Sequence, residues 1–176
     1  MRLIKWMLVA VLLLGGVFLV GSFLLPATTV VERSRELRHP PAETFALLDS
    51  FERFTAWSPW VEFDPQAAYV RSGPAAGVGA RLAWSGNSAL GTGSQEIIAS
   101  DPAAGTVDVA LDFGGYPART RYSIAPAASG SRLTWRLEMA HGYDPFARWI
   151  GLLMERMVGP DLERGLERID RLPADG

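Results

Sequence analysis

Residues 6–25 carry no charge: sixteen of the twenty are apolar, and the others are Gly15, Gly16, Gly21 and Ser22. At 1.5 Å of rise per residue, a helix of that length spans roughly 30 Å, the thickness of a bilayer's hydrocarbon core. The pattern predicts one N-terminal transmembrane helix. Pro26-Ala27-Thr28-Thr29 then reads as a short linker, dividing the chain into an anchor over 1–27 and a domain over 28–176. A strand over 30–37 ends at His39-Pro40-Pro41. Two short helices follow, over 41–48 with Phe45 and Leu48 on one side, and over 51–57 up to Ser58-Pro59.

The next stretch alternates. Val78, Ala80, Leu82 and Trp84 interleave with Gly79, Arg81, Ala83 and Ser85. Val107, Val109, Leu111 and Phe113 interleave with Asp108, Ala110 and Asp112. Ala118, Thr120, Tyr122 and Ile124 interleave with Arg119, Arg121 and Ser123, and Leu133, Trp135, Leu137 and Met139 with Arg132, Thr134, Arg136 and Glu138. A period of two predicts strands with one buried and one wet face. The intervening turn signals leave no room for crossover helices, so the sheet is antiparallel, with about six strands after the first. From Asp144-Pro145 the period changes. Phe146, Trp149, Ile150, Leu153 and Met157, then Leu162, Leu166 and Ile169, recur at three- and four-residue steps, which predicts a long amphipathic helix with these residues facing the sheet. Gly159-Pro160 is expected to kink or split it.

Arg2 and Lys5 precede the apolar run, as in a cleaved signal peptide. The run is longer than a signal core, however, and Leu25 stands where a small residue should precede a cleavage site, which favours a retained anchor. The same two charges favour a cytoplasmic N-terminus and hence an extracytoplasmic domain, although Arg33, Arg35 and Arg38 follow on the other side.

The order of strand, two short helices, about six strands and a long terminal helix resembles the helix-grip fold of the START-like (SRPBCC) superfamily, in its polyketide cyclase/dehydrase-type branch. The resemblance covers about residues 30–172. It rests on Trp57-Ser58-Pro59-Trp60, Gly77-Val78-Gly79-Ala80, Trp84-Ser85-Gly86-Asn87, Leu133-Thr134-Trp135, and Gly159-Pro160-Asp161 with Gly165-Leu166. It implies an α+β fold in which a curved seven-stranded antiparallel sheet wraps a long C-terminal helix. It also implies a cavity between the two that often holds a hydrophobic ligand. It implies no single reaction.

Composition narrows the chemistry. Net charge is −2, and without Arg2 and Lys5 the domain holds 15 basic against 19 acidic residues, a poor match for nucleic acid. There is no cysteine, and Lys5 is the only lysine. Thiolate chemistry, a Schiff-base lysine in the domain and a P-loop are therefore excluded. Two histidines, His39 and His141, are too few for an imidazole-built metal site, and no cofactor is implied. Gly77-x-Gly79 and Gly91-x-Gly93 meet Leu82 and Glu96 where a dinucleotide loop needs its third glycine, so both read as turn or bulge glycines.

His141 reads either as a general base at a cavity mouth, oriented by Tyr143 or Asp144, or as a turn histidine beside an Asp144 helix cap. Arg119, Arg121, Arg132 and Arg136 form either a headgroup-binding patch or a solvated face balanced by Glu138 and Asp112. The expected ligand-binding set is aromatic and methionine-bearing: Trp84, Phe113, Tyr122, Trp135 and Met139 from strands, and Trp149, Leu153 and Met157 from the helix. The same side chains would serve equally to fill a closed core. The reading favoured is a membrane-anchored domain that binds a hydrophobic small molecule or lipid. A cyclase- or dehydratase-like enzyme and a non-binding interaction module are the alternatives.

Overall fold

The computed structural model describes residues 2–173 and contains α1 (Arg2–Leu24), β1 (Thr28–Leu37), α2 (Pro41–Leu48), α3 (Phe54–Trp57), a 3₁₀ turn (Pro59–Phe63), β2 (Ala68–Ser72), β3 (Arg81–Ser85), β4 (Thr92–Asp101), β5 (Thr106–Asp112), β6 (Pro117–Ala127), β7 (Gly130–Ala140) and α4 (Pro145–Arg171). Residues 174–176 of the expected domain lie outside the described residues. The seven strands form one antiparallel sheet in the order β1-β7-β6-β5-β4-β3-β2, so only β1 joins out of sequence, closing against the last strand.

Alternation in the strands places the core. Leu82 and Trp84 in β3 are buried between exposed neighbours, and Leu133, Trp135 and Leu137 in β7 are buried between exposed Arg132 and half-buried Thr134, Arg136 and Glu138. Trp57, Tyr122 and Trp135 meet edge-on or tilted at 5.4–6.3 Å and fill the middle of the concave face. Gly165 is what lets α4 lie on this cluster, since a Cβ there would stand 2.5 Å from the Trp135 ring.

Helix α4 runs beside β1 in the same direction, with Gly151 near Thr29, Gly159 against Arg33, and Asp170 bonded to Arg38. It is one continuous helix, not two. Pro160 has no amide to give the carbonyl four residues earlier, which is the reason a break was expected. Arg33 spans the weak point: its guanidinium pairs with Glu155 at 2.7 Å and Glu163 at 2.6 Å, one on each side of the proline.

The helix is also rotated from the expected phase over its first half. Arg148, Gly151, Met154 and Gly159 face inward, while Phe146, Ile150, Leu153 and Met157 are more than half exposed. The physical reason is close approach. Built on Gly151, a Cβ would lie 2.6 Å from Thr29 Oγ1 and 2.7 Å from His141 Nε2, so only a glycine face fits there. From Leu162 onward the expected phase holds, and Leu162, Leu166 and Ile169 are fully buried.

Candidate ligand-binding site

A cavity of about 190 Å³ lies under the free half of the sheet, on the side away from β1. Trp84, Gln95 and Leu111 reach it from β3, β4 and β5, with Phe113 just beyond β5 and Tyr69 from β2. Phe54 of α3 and Trp60 and Phe63 of the 3₁₀ turn close it from the opposite side. Ala89 and Leu90 come from the β3–β4 connection, and the exposure of Ala89 and Phe63 marks the rim. Gly93 sets the position of Trp84. The two residues are cross-strand partners, and a Cβ on Gly93 would lie 2.2 Å from the indole. Trp84 and Phe113 meet edge-to-face at 5.7 Å, and Phe54 leans on Tyr69 at 6.2 Å. The walls are therefore mainly aromatic.

Three polar atoms belong to this lining and have no hydrogen-bond partner among the described residues: Gln95 Nε2, Tyr69 Oη and Trp84 Nε1. Gln95 is only 4% exposed and Trp84 8%. A buried donor left unpaired costs about 1–3 kcal/mol, so each of these three lining residues carries a donor that an acceptor would relieve; Trp57, Ser58, Thr120 and Trp135 carry unpartnered atoms away from the lining. Tyr69 is the sole ionisable residue of the lining among those described. Burial, helped by the negative charge of Asp64, raises its phenol above the ordinary range, so it keeps its proton at neutral pH. Among the described residues, no group of three or more His, Asp or Glu could hold a metal ion.

The residues expected at the site are not all brought together. Trp84 and Phe113 line the cavity. Tyr122 and Trp135 belong to the packed aromatic core beside it, where burial pushes the Tyr122 phenol up. Met139 is partly buried against that core. The rotation of α4 carries Trp149, Leu153 and Met157 to its outer side. There Trp149 stacks on Phe18 of α1 at 5.7 Å and donates Nε1–H to the Phe18 carbonyl at 3.2 Å. Phe54, Trp60, Phe63, Tyr69 and Gln95 escaped sequence reasoning.

The remaining candidates resolve into structural roles. The Asp144 carboxylate accepts from the amides of Phe146 and Ala147 at 2.8 and 3.2 Å, capping α4. His141 Nε2 lies 2.7 Å from Thr29 Oγ1 and is not in the cavity. On the outer sheet face, Arg119 and Arg121 both grip Asp108, at 2.8 Å and at 2.6 and 2.7 Å. Asp108, not Asp112, is thus the counter-charge. Arg136 pairs with Glu32 and Glu138, and Arg132 with Glu36.

A family model described as polyketide cyclase / dehydrase and lipid transport matches residues 28–172. The chain belongs to this family. No curated protein matches it. Among solved structures, truncated norcoclaurine synthase from Thalictrum flavum is 18% identical and covers 82% of this chain and 92% of its own, with a TM-score of 0.58. Protein CV1439 from Chromobacterium violaceum is 15% identical, covering 84% and 99%, at 0.57. Protein MLL2253 from Mesorhizobium loti is 17% identical, covering 82% and 98%, at 0.54. At these identities the likeness is one of fold. The seven-stranded sheet with its long terminal helix is the cyclase family's helix-grip architecture, carried here behind an apolar helix long enough to cross a membrane.

Proposed function

We propose that this protein is a membrane-anchored binding domain for a small hydrophobic ligand that carries an acceptor oxygen, held in the aromatic cavity. The observation that carries this reading is the pairing of apolar walls with three unpartnered donors on Gln95, Tyr69 and Trp84. Size limits the ligand. An engineered apolar cavity of roughly 150 Å³ takes benzene, so about 190 Å³ suits a one- or two-ring aromatic or a single short chain, not a diacyl lipid in full. Membrane anchoring rests on the uncharged residues 6–24 of α1, and the extracytoplasmic side on Arg2 and Lys5.

The test compares two isosteres on the full chain in detergent: 2-acetylnaphthalene, which has a carbonyl, and 2-isopropenylnaphthalene, which has a C=CH2 group in its place. The ketone should bind about fivefold tighter, since one hydrogen bond to a waiting donor is worth about 1 kcal/mol net. Gln95→Leu should erase much of that preference without lowering the melting temperature, because it removes a buried donor that has no partner. Equal affinity for both compounds in the parent chain would refute the reading.

An enzyme of the cyclase kind remains the second reading, and one observation favours it. Tyr69 offers a protonated phenol inside the cavity, able to donate to a carbonyl as it gains charge. With no carboxylate, imidazole or amine among the described lining residues, any such catalysis falls to Tyr69 and to the shape of the cavity. A Tyr69→Phe variant that keeps ketone binding but loses turnover of a poly-carbonyl substrate would establish it.

A further inference from the structure

The first half of α4 is apolar on the side it turns outward, where the helix of a soluble domain is polar. Its inner face packs on β1. On nearly the opposite side Phe146, Ile150, Leu153 and Met157, at three- and four-residue steps, are 68, 53, 51 and 59% exposed. This stripe is not isolated, because it continues an interface already formed with α1. Phe18 packs on Phe146 at 5.0 Å and stacks on Trp149, while Gly21 makes room for the Trp149 ring. Arg148 ties the same corner, donating to the carbonyls of Gly142, Ser22 and Leu25 and closing the C-terminal end of α1.

Depth follows from that contact. Phe18 lies seven residues before Leu25, so the first turn of α4, at Phe146 and Trp149, meets the apolar helix roughly 10 Å inside its end, and the turns that follow run out along β1. We infer that the outer face of α4 is a second membrane contact, with Phe146, Ile150, Leu153 and Met157 lying in the leaflet that α1 enters. This inference rests on the reading of α1 as a membrane span. Strand register shows what the posture does for the cavity. Thr29, which follows the anchor directly, lies in one cross-strand row with Met139, Ala118, Leu111 and Gln95. The cavity-bearing end of the sheet is thus the end turned to the bilayer. Tyr116 and Tyr143 are 67 and 84% exposed in connections at that same end, as interfacial tyrosines are.

The chain has no cysteine, so single-cysteine probes report cleanly. The full chain would carry an NBD fluorophore at Ile150→Cys, Leu153→Cys or Met157→Cys, in phosphatidylcholine vesicles with and without a doxyl-labelled lipid. Leu13→Cys in α1 serves as the buried reference and Ala104→Cys, at the far end of the sheet, as the wet one. The three α4 probes should emit to the blue of the Ala104 probe and be quenched by doxyl lipid to a degree approaching the Leu13 probe. Quenching at Leu13 with none at the three α4 positions overturns the inference and leaves the anchor standing. Blue-shifted emission without doxyl quenching means that a second copy of the chain covers the face, and also overturns it. No quenching even at Leu13 removes the anchor and this inference together.

Discussion

Asp108 concentrates the charge of the outer sheet face. The Arg121 guanidinium, against the penalty of burial and with help from Arg119, holds its carboxyl well below the ordinary range. The sign follows: the stability it supplies is present above the ordinary carboxylate pKa and is lost as pH falls through the lower value of the folded state. Asp108→Asn should cost about 1–2 kcal/mol at neutral pH, held down because both arginines are half exposed, and the deficit should close on acidification. Urea titrations across pH would read both effects. His141 behaves oppositely to a paired histidine. Burial, then the charge of Arg148, hold its imidazole below the ordinary range, with Asp144 opposing. The unfolded chain takes up a proton below about pH 6.5 that the folded chain resists, so stability falls from there until the folded imidazole itself titrates. A His141→Gln variant keeps a partner for Thr29 and should lose less stability between about pH 7 and pH 5 than the parent. At this scale the sequence was legible where a strand is regular: Trp84 and Phe113 were found from their phase. Gln95 was hidden because β4 carries polar residues on inward positions and a register shift between Ile97 and Ala99, which breaks the period. Trp60 and Phe63 sit in a 3₁₀ turn, where no period of two or 3.6 marks an inward side.

The elements themselves followed closely from pattern, since seven strands with wet and dry faces leave few alternatives. Helix α4 is the exception, and both of its departures have local causes. Hydrophobic period identifies an apolar stripe but not what covers it. In the first half, the glycine face at Gly151 and Gly159 meets β1, and the apolar stripe looks outward. The expected split at Pro160 is bridged from outside the helix by Arg33, which pairs with Glu155 and Glu163, a contact between residues more than a hundred positions apart that no local reading contains. Arg33→Ala should raise amide hydrogen exchange in the turns flanking Pro160 and leave the central strands protected. Gly165→Ala, which drives a methyl into the Trp135 ring, should cost about 1–3 kcal/mol in thermal or urea unfolding.

At the scale of the whole molecule, α1 and the sheet domain are joined by a built corner, not only by the short segment between α1 and β1. Arg148, Trp149 and Phe146 on α4 meet the last two turns of α1, and the amide of His141 bonds the Ala27 carbonyl at 2.8 Å. The cavity lies across the sheet from this corner but at the same end of the strands. Two tryptophans therefore separate two accounts of where a hydrophobic ligand goes. Trp84 stands in the cavity wall, while Trp149 stands at the contact between α1 and α4. The decisive measurement is an NMR titration of the ¹⁵N-labelled full chain in a nanodisc with 2-acetylnaphthalene, following the two indole N–H resonances, assigned by Trp84→Phe and Trp149→Phe. The Trp84 resonance should move saturably and downfield as its free Nε1–H finds the ketone oxygen, while that of Trp149 stays in place. Movement of Trp149 with Trp84 unchanged would place the ligand against the anchor and contradict a cavity-binding function.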